Sequence, residues 1–473
     1  MKDMLVRLES ISITNFKNVK KGQLSFTNNR KSFKTSILGL YGQNGSGKTA
    51  LIDAIALLQI ALRGQQIPQY FAEFINVEAE YSILQYEFDV YNELQKYRAF
   101  YEFKLKAEKI ENSQNIDDSI TEESNFRAAI YDEILSYSFE DSSSIIRKSS
   151  LIDTTSSKVF GPVAKYNTLV GKDKDLAIKL MVDKNVSYEK SKSFVFSREL
   201  LNSIRNKNNV QDTEYLRHII LLESLVRYGN FELFVINTRN SGNISMNLLP
   251  LSFVFNLGTN SAAGNILIPL EEAITIPEEA VAVLEKLIAN MNIVLSQIVP
   301  GLTIRIEKLG EMLFANGKKG VRVQLMSLKN SKDIPLKYES DGIKKIISIL
   351  QLLVAVYNQS SITVVIDELD AGIFEYLLGE LLRVISEKGN GQLLFTSHNL
   401  RPLETIDRGF IAFTTKNPEH RYIRMTNLKD NNNLRDFYYR DIILGEQSEE
   451  VYDPTNNAEI AFAFRQAGNF NDS

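Results

Sequence analysis

The chain has 473 residues, long enough for two or three folding units, and its 44% hydrophobic and 24% charged content is typical of globular proteins. It contains no cysteine, which excludes disulfides, thiolate metal sites and cysteine nucleophiles. A net charge of -4 argues against a globally basic nucleic-acid binder but leaves room for a local basic patch. No run of 18 apolar residues and no signal-peptide core are present, so we expect a cytoplasmic protein without a membrane span.

The first part of the chain predicts strands around one helix. Residues 4–14 alternate in the manner of a strand, and Ser36–Tyr41 form a continuous apolar run, as in a strand buried on both faces. An apolar helix is predicted over 50–62, and two antiparallel, aromatic-rich strands over 80–105. The acidic segment 107–125 predicts a loop.

Downstream, residues 126–230 predict mostly helix without a sharp chemical motif. The patterns that follow predict a helix over 277–296, a hairpin over 302–327 around ANGKKG, buried strands over 361–366 and 392–397, a helix over 374–388 between them, and a strand pair within 400–473.

The first motif with chemical meaning is YGQNGSGKTAL, which matches G-x-x-x-x-G-K-[ST] between a predicted buried strand and a helix. Glycines let successive backbone N–H groups turn inward around an anion, and the helix N-terminus adds partial positive charge. Lys48 is expected to reach the β- and γ-phosphates and Thr49 to ligate Mg²⁺. A chance glycine-rich turn is the alternative, which the strand–loop–helix context disfavours. The predicted nucleotide-binding residues are Gly42, Asn44, Gly45, Ser46, Gly47, Lys48, Thr49 and Ala50.

Acidic residues and a histidine follow two later strands. In ITVVIDELD, Asp367 is expected to hold Mg²⁺ and Glu368 to orient or deprotonate the attacking water, because ligands bind at the carboxyl edge of a parallel sheet. The alternative is a solvated acidic strand end. His398 follows the next strand and could hydrogen-bond the γ-phosphate or the attacking water, although a capping or packed histidine is the commoner outcome.

The segment ESDGIKK stands directly before a long apolar helical pattern. Ser340 is a typical helix N-cap, which is the simple explanation. Gly342 is then unexpected, since glycine is unfavourable inside a first turn, but it would let a ligand approach the backbone closely. Hydroxyl, backbone N–H and helix N-terminus together would form a second anion site.

In this order, the motifs resemble ABC-type, AAA-family ATPase heads of the RecF/SMC/OLD kind, and ITNFKNV at 13–19 looks like the N-terminal strand and turn of those heads. The resemblance implies an α/β P-loop NTPase with a mixed sheet flanked by helices and a largely helical insertion, with ATP and Mg²⁺ as cofactors. Residues 1–105 and 330–425 would form the core lobe, 106–329 the mostly helical insertion, and 426–473 a tail for partner contact.

The resemblance also implies roles for individual residues. In that family the signature element contacts the γ-phosphate held by the other subunit, so Ser340, Gly342 and Lys344 would act in trans. Asp370 would match the loop that crosses the dimer interface, and Lys17 would contact the nucleotide. The implied catalytic residues are Lys48, Glu368 and His398.

Several features depart from the family pattern. The signature is Ser-Asp-Gly, the sequence after Asp367-Glu368 lacks the usual Leu-His-Pro, and the glutamine of the Q-loop cannot be placed, with 193–201 the nearest candidate. The insertion is too short for an SMC-length coiled coil, and the 75 residues after His398 are too few for a Toprim nuclease. We therefore expect the effector to be a separate protein.

Two functions from different classes follow. The first is an ATP-driven sensor and scaffold that forms homodimers or larger assemblies and controls an effector, such as a nuclease, as in the PARIS or Septu-like anti-phage modules it resembles. The second is a RecF-like DNA-binding ATPase of repair or recombination, for which the basic segment 316–322 is the best local patch. A transporter subunit and an inactive nucleotide-binding scaffold fit the sequence less well.

Overall fold

The computed structural model describes residues 4–28, 34–110, 126–209, 211–257, 260–314, 317–329, 332–425, 433–445, 447–452 and 455–468. Within them the strands are β1 (Leu5–Phe16), β2 (Val19–Ser25), β3 (Ser36–Tyr41), β4 (Ser82–Tyr91), β5 (Gln95–Lys109), β6 (Phe126–Asp141), β7 (Ile145–Asp153), β8 (Leu233–Ile236), β9 (Leu248–Leu257), β10 (Asn260–Pro269), β11 (Ile274–Pro277), β12 (Leu302–Leu313), β13 (Lys319–Lys329), β14 (Lys332–Pro335), β15 (Thr363–Ile366), β16 (Gln392–Thr396), β17 (Ile411–Thr414) and β18 (Tyr422–Ile423).

The α-helices in the same part of the chain are α1 (Lys48–Leu62), α2 (Val163–Leu169), α3 (Lys174–Glu189), α4 (Arg198–Lys207), α5 (Thr213–Arg227), α6 (Thr238–Ser245), α7 (Glu278–Ile298), α8 (Asp341–Asn358), α9 (Glu375–Lys388), α10 (Pro402–Thr405), α11 (Leu434–Leu444) and α12 (Asn457–Gly468). Short 3-10 segments at Gln69–Phe74, Leu336–Tyr338 and Arg408–Phe410 and a π-helical turn at Tyr228–Glu232 complete the described elements.

The central sheet has the strand order β18-β17-β3-β16-β15-β8. Neighbouring strands from β17 to β8 run parallel, and only β18 pairs antiparallel. The apolar runs predicted as buried strands are therefore the middle of a mixed sheet. Because parallel strands end at the same edge, the residues that follow β3, β15 and β16 meet there.

The two faces of the central sheet pack against different layers. Val365 and Leu394 point into the core shared with α1 and the antiparallel sheet. Their neighbours Val364 and Phe395 point to the opposite side, into the core shared with α8 and α9. The alternation follows from the two-residue period of strands and explains why the middle positions of these strands are apolar on both faces. The α/β class and the sheet flanked by helices are confirmed.

A second, antiparallel sheet has the order β2-β1-β4-β5-β6-β7 and covers α1. It is tied to the central sheet by the buried side chain of Gln392, whose Oε1 accepts from the Leu8 N–H at 2.9 Å and whose Nε2 donates to the Leu8 carbonyl at 3.0 Å. The Tyr86 hydroxyl donates to the Ala54 carbonyl of α1 at 2.6 Å. The Gln392 bonds join the two sheets, and the Tyr86 bond fixes α1, the helix that follows the glycine-rich loop.

The prediction of a mostly helical insertion over 106–329 is wrong, because this segment contains β6 to β13 as well as α2 to α7. Register shifts in the β6–β7 pairing and a left-handed Asp132 (φ 50°) interrupt the two-residue period that would have marked β6 as a strand. β5 also runs to Lys109, into the predicted loop 107–125, and that loop lies outside the described residues from 111 onward.

The predicted helix over 277–296 and hairpin over 302–327 are confirmed as α7 and as β12 with β13. α7 is the one described helix that is long and apolar enough to cross a membrane, but Leu284, Leu287 and Met291 bury its apolar stripe against this chain's own sheet. The basic segment 316–322 lies at the hairpin end, with residue 316 outside the described residues.

A buried histidine lies between α5 and the antiparallel sheet. His218 is 0% exposed, and its Nε2 lies 2.8 Å from the hydroxyl of Tyr137 and 3.4 Å from Lys165 Nζ. Lys165 pairs with Glu214, one turn before the histidine. Burial, reinforced by Lys165, lowers the pKa of His218 from 6.5 to about 4.

This histidine makes stability depend on pH. Below pH 6.5 the unfolded chain is protonated at His218, whereas the folded chain becomes protonated there only near pH 4. The free energy of unfolding therefore falls as the pH drops from 6.5 to about 4. The slope approaches about 1.4 kcal/mol per pH unit. We expect His218→Gln to flatten it in urea titrations between these pH values. An unchanged slope in His218→Gln would contradict the assignment.

Candidate functional site

The glycine-rich loop joins β3 to α1 and turns through left-handed backbone at Gly45 (φ 75°) and Gly47 (φ 96°). Gly42 has φ 153°, and a Cβ there would lie 1.7 Å from the Thr414 hydroxyl oxygen. A side chain is therefore excluded at Gly42 by packing and disfavoured at the other two glycines by backbone conformation. Asn44 is exposed on the same loop. The open backbone at the start of α1 is the arrangement that binds phosphate.

Lys48 begins α1 and is only 7% exposed. Its Nζ donates to the carbonyls of Gly42 at 2.8 Å and Gln43 at 3.0 Å, so the ammonium lies across the loop. Burial lowers the pKa of Lys48, while the carboxylates of Asp367 and Glu368 act in the opposite direction. The lysine and the acidic strand end therefore lie close enough to interact electrostatically.

The other predicted loop residues surround this lysine. The Ser46 hydroxyl donates to the Gln43 carbonyl at 2.6 Å and lies 2.5 Å from the Thr414 hydroxyl oxygen. Thr49 is half-buried, and Ala50 is 1% exposed in the first turn of α1. These contacts hold the loop between its own helix and the end of β17.

Asp367 follows β15 and is 1% exposed. Its Oδ1 accepts from the Thr396 hydroxyl at 2.5 Å, and its Oδ2 is buried without a hydrogen-bond partner. A buried carboxylate oxygen without a partner is costly unless a cation or donor completes it. The buried, unpartnered oxygen is compatible with a metal ligand, and this role of Asp367 stays a prediction.

Glu368 adopts φ 50°, which is uncommon for a residue with a side chain. Its N–H donates to the Thr396 hydroxyl at 2.8 Å, and its side chain is half-buried at the edge of the sheet. The left-handed backbone turns the chain sharply after β15. Backbone strain of this kind is concentrated at functional sites.

Asp370 and His398 meet at the same edge. Asp370 Oδ2 accepts from the N–H groups of His398 at 3.0 Å and Asn399 at 2.9 Å. The carboxylate therefore holds the loop after β16 within its own chain, a contact that the resemblance did not imply. The imidazole of His398 is exposed, so its side chain remains available to a ligand.

The sequence did not reveal Asn237, which follows β8. Because β8 pairs in parallel with β15, Asn237 lies beside Asp367, whose N–H donates to the Ile236 carbonyl at 2.8 Å. The amide oxygen of Asn237 is buried without a hydrogen-bond partner. The Q-loop glutamine, for which 193–201 was the nearest candidate, stays unplaced. A four-residue strand gives too short a pattern to be predicted.

Ser340 is the N-cap of α8, and its exposed hydroxyl accepts from the Ile343 N–H at 3.4 Å. Packing within the chain explains why residue 342 is a glycine. A Cβ on it would lie 2.0 Å from the carbonyl oxygen of Gly372, in the loop after β15. The glycine thus permits two segments of one chain to touch, and its presence alone does not require a ligand.

Two lysines of α8 point inward. Lys344 is 4% exposed and donates to the amide oxygen of Asn247 at 2.7 Å, so it is buried in its own chain and not presented to a neighbour as the resemblance implied. Lys345 is 3% exposed. Burial lowers its pKa, and Glu368 acts most strongly in the opposite direction. Lys345 therefore adds positive charge near the acidic strand end, which the sequence analysis missed.

The N-terminal turn reaches the loop through Asn18 and not through Lys17. Lys17 forms an ion pair with Asp53 of α1 and lies 3.9 Å from the centre of the Phe74 ring. Asn18 instead donates its amide to the Gly45 carbonyl. Lys17 therefore anchors the turn to α1, and its expected contact with the nucleotide stays a prediction.

The end of the central sheet also braces the loop. The Tyr422 hydroxyl donates to the Gly47 carbonyl at 2.9 Å, and the Arg421 guanidinium donates to the Asn18 carbonyl at 2.5 Å. A Cβ on Gly47 would lie 3.2 Å from the Arg421 side chain. Both residues lie far downstream of the motif in sequence, so no local pattern predicts them.

The contact between α8 and the loop after β15 can be tested directly. We expect Gly342→Ala to destabilise the fold by about 1–3 kcal/mol, because its Cβ would meet the Gly372 carbonyl. Thermal unfolding measures the effect. Gly242→Ala is the matched control in α6, where a Cβ meets nothing within 4 Å, and should be neutral or slightly stabilising. Equal stability of the two variants would contradict the packing argument.

A search of curated proteins finds no match. Among solved structures, an SMC head bound to the C-winged helix domain of ScpA is 11% identical, with a TM-score of 0.38, covering 89% of this chain and 98% of that one. The SMC head domain from Thermotoga maritima is 14% identical, with a TM-score of 0.37 and coverage of 89% and 99%.

A third structure, the Smc head with an extended coiled coil bound to the C-terminal domain of ScpA derived from Pyrococcus furiosus, is 13% identical, with a TM-score of 0.37 and coverage of 89% and 97%. The family model described as "AAA domain, putative AbiEii toxin, Type IV TA system" matches residues 37–404, which include the glycine-rich loop, the Asp367-Glu368 pair and His398. The match confirms the predicted P-loop ATPase class, and the chain belongs to this AAA-domain family.

Proposed function

We propose that this chain hydrolyses ATP and closes around it with a second copy of itself, and that this cycle controls a separate effector. The observation that carries the proposal is the strand order β3-β16-β15, which puts Lys48, His398 and Glu368 at one edge of one sheet. Phosphate-binding backbone, a cation and a carboxylate are the groups that phosphoryl transfer to water requires.

The residues at this edge fit Mg²⁺. Asp367 and Asn237 each bury an oxygen without a hydrogen-bond partner, and Thr49 follows Lys48 at the start of α1. Carboxylate, amide and hydroxyl oxygens are the ligands that this cation prefers. When bound, Mg²⁺ would neutralise charge on the β- and γ-phosphates. We propose Thr49 and Asp367 as its ligands, directly or through water, with Asn237 beside them.

Glu368 is proposed as the group that orients and deprotonates the attacking water. Its carboxylate stands after β15, and the Thr396 hydroxyl holds its backbone while also bonding Asp367. One threonine thus aligns the proposed metal ligand and the proposed base. The exposed imidazole of His398, on the neighbouring strand end, is proposed to hydrogen-bond the γ-phosphate or this water.

The proposed second copy would approach over the N-terminus of α8. Ser340 is exposed there, and Tyr338 (69% exposed) lies two residues before it. Phe374 (70%) and Tyr376 (54%) are exposed just after Gly372, whose carbonyl lies against Gly342. Exposed aromatic residues are enriched where proteins associate. We therefore propose that Ser340 meets the γ-phosphate held by Lys48 of the other copy.

The proposed biological setting is anti-phage defence in the cytoplasm, with a nuclease as the separate effector. It is supported by the resemblance to PARIS and Septu-like ATPases and by the family description, which names a toxin system. We propose residues 1–105 and 330–425 as the ATPase lobe, joined by β8 and Asn237 from the segment between them, and the tail 426–473 as a partner contact.

Mixing two inactive variants tests whether Ser340 acts in trans. Ser340→Asp keeps a helix-capping acceptor but repels a phosphate, and Lys48→Ala removes the phosphate-binding ammonium. Each should be inactive alone, and their mixture should regain ATPase activity, because one site of a mixed dimer combines an intact Lys48 with an intact Ser340. Phosphate release measures the result.

Asn433→Asp, at the N-cap of α11, controls for the capping change and should keep full activity. No activity in the mixture, although mass measurement shows mixed dimers, would contradict action in trans. Full activity of Ser340→Asp alone would contradict any role of Ser340 at the phosphate.

A further inference from the structure

The last helix, α12, is exposed along its whole length. None of its residues is buried against the described part of the chain, and Ile460 (42% exposed), Phe462 (59%) and Phe464 (76%) are open to solvent. At the helical period Ile460 and Phe464 share one face, and Phe462 lies on the opposite one, so large apolar side chains project from two faces of the helix. Exposed apolar surface of this kind marks interaction sites.

An apolar groove lies elsewhere on the same chain, between α3 and the segment that leads into α2. Its volume is about 790 Å³, within the range of ligand-binding clefts. Val163 is 48% exposed, and Ile178 and Val182, one turn apart on α3, are 65% and 56% exposed. Phe160 and Tyr166 also line it. The groove is therefore floored by aromatic and aliphatic side chains.

The charged groups around the two features are complementary. Lys158, Lys172 and Lys174 line the groove against one acid, Asp173. In α12 Glu459 lies in the first turn and Arg465 in the last turn, so the acid could pair with a rim lysine and the base with Asp173. An apolar helix with an acidic first turn suits an apolar groove with a basic rim, which is the helix-in-groove mode of recognition.

We propose that α12 of one copy of this chain docks in the groove between α2 and α3 of a second copy. The helix spans about 18 Å, and Ile460 with Phe464 would insert between α3 and Val163. The two surfaces differ, so the contact is head-to-tail and joins copies into an open chain or a closed ring. It is separate from the nucleotide edge and does not require ATP.

Solution mass without nucleotide, measured over a range of concentrations, tests the proposal. All variants carry Lys48→Ala, so that ATP-dependent association cannot contribute. We expect the parent chain to self-associate, and Phe464→Asp or Ile178→Asp each to weaken association about 30-fold or more. Ile293→Asp is the matched control, since Ile293 is 70% exposed on α7, outside both surfaces, and should associate as the parent does.

An equimolar mixture of the two defective variants gives the sharpest outcome. Each retains one intact surface, so the mixture should form dimers containing one copy of each, while each variant alone stays monomeric. A parent chain that is monomeric throughout the range would overturn the proposal. So would defective variants that associate as well as the parent, or a mixture that stays monomeric.

Discussion

Replacing Lys48 with alanine is expected to weaken ATP binding about 100-fold or more. The ammonium lies over the glycine-rich loop on the carbonyls of Gly42 and Gln43 and would exchange these contacts for phosphate oxygens. Hydrogen bonds to charged groups contribute about 1.5–3 kcal/mol each, and two of them correspond to this loss. Titration with a fluorescent ATP analogue measures the dissociation constant.

The control is Lys96→Ala, since Lys96 is exposed and pairs only loosely with Asp89 at 3.8 Å. This variant should bind ATP as the parent does. Burial lowers the pKa of Lys48, so its ammonium loses its proton at a lower pH than an exposed lysine would. ATP binding by the parent should therefore also weaken as the pH rises. Unchanged binding by Lys48→Ala would mean that the nucleotide binds elsewhere.

Replacing Glu368 with glutamine is expected to leave ATP binding intact and to slow hydrolysis about 100- to 10,000-fold, the range that a positioned general base contributes. Glutamine keeps the size of the side chain but cannot take a proton. The left-handed backbone at Glu368 is unchanged by the substitution, so the fold should be preserved. ATP should then hold the proposed dimer closed, which a rise in solution mass would show.

The matched control is Glu387→Gln on the exposed face of α9, which should hydrolyse ATP at the parent rate. A Glu368→Gln variant with unaltered phosphate release would place the base elsewhere. Loss of ATP binding in this variant would indicate a binding role for the carboxylate rather than a role in activating water.

The sequence predicted those site residues whose role is indicated by their immediate neighbours in sequence. The glycine-rich loop and the acids after β15 follow continuous apolar strands, and the physical reason for each residue type is contained in a few neighbours. Asn237 escaped prediction because β8 is only four residues long, and Tyr422 because it contacts Gly47 across 375 positions of sequence. Contacts of that separation depend on the sheet order, which the local pattern does not contain.

Gly342 was predicted for the wrong reason. Its awkward place in the first turn of α8 suggested a ligand, but the chain's own Gly372 carbonyl occupies that space. Lys344 shows a related limit. The family resemblance put it at a surface, whereas the amphipathic pattern of α8 turns it toward Asn247. In both cases packing within one chain explains the residue without a ligand, and a role of Gly342 at a nucleotide stays a prediction.

The contact between Gly342 and Gly372 has a mechanical consequence. With no side chain between them, the start of α8 cannot shift without displacing the loop that begins at Glu368. In the proposed assembly, a phosphate arriving from the neighbouring copy at Ser340 would therefore be sensed by the carboxylate that serves this chain's own nucleotide. The contact between the two glycines would therefore couple the two nucleotide sites of the dimer, so that binding at one site changes the rate of hydrolysis at the other.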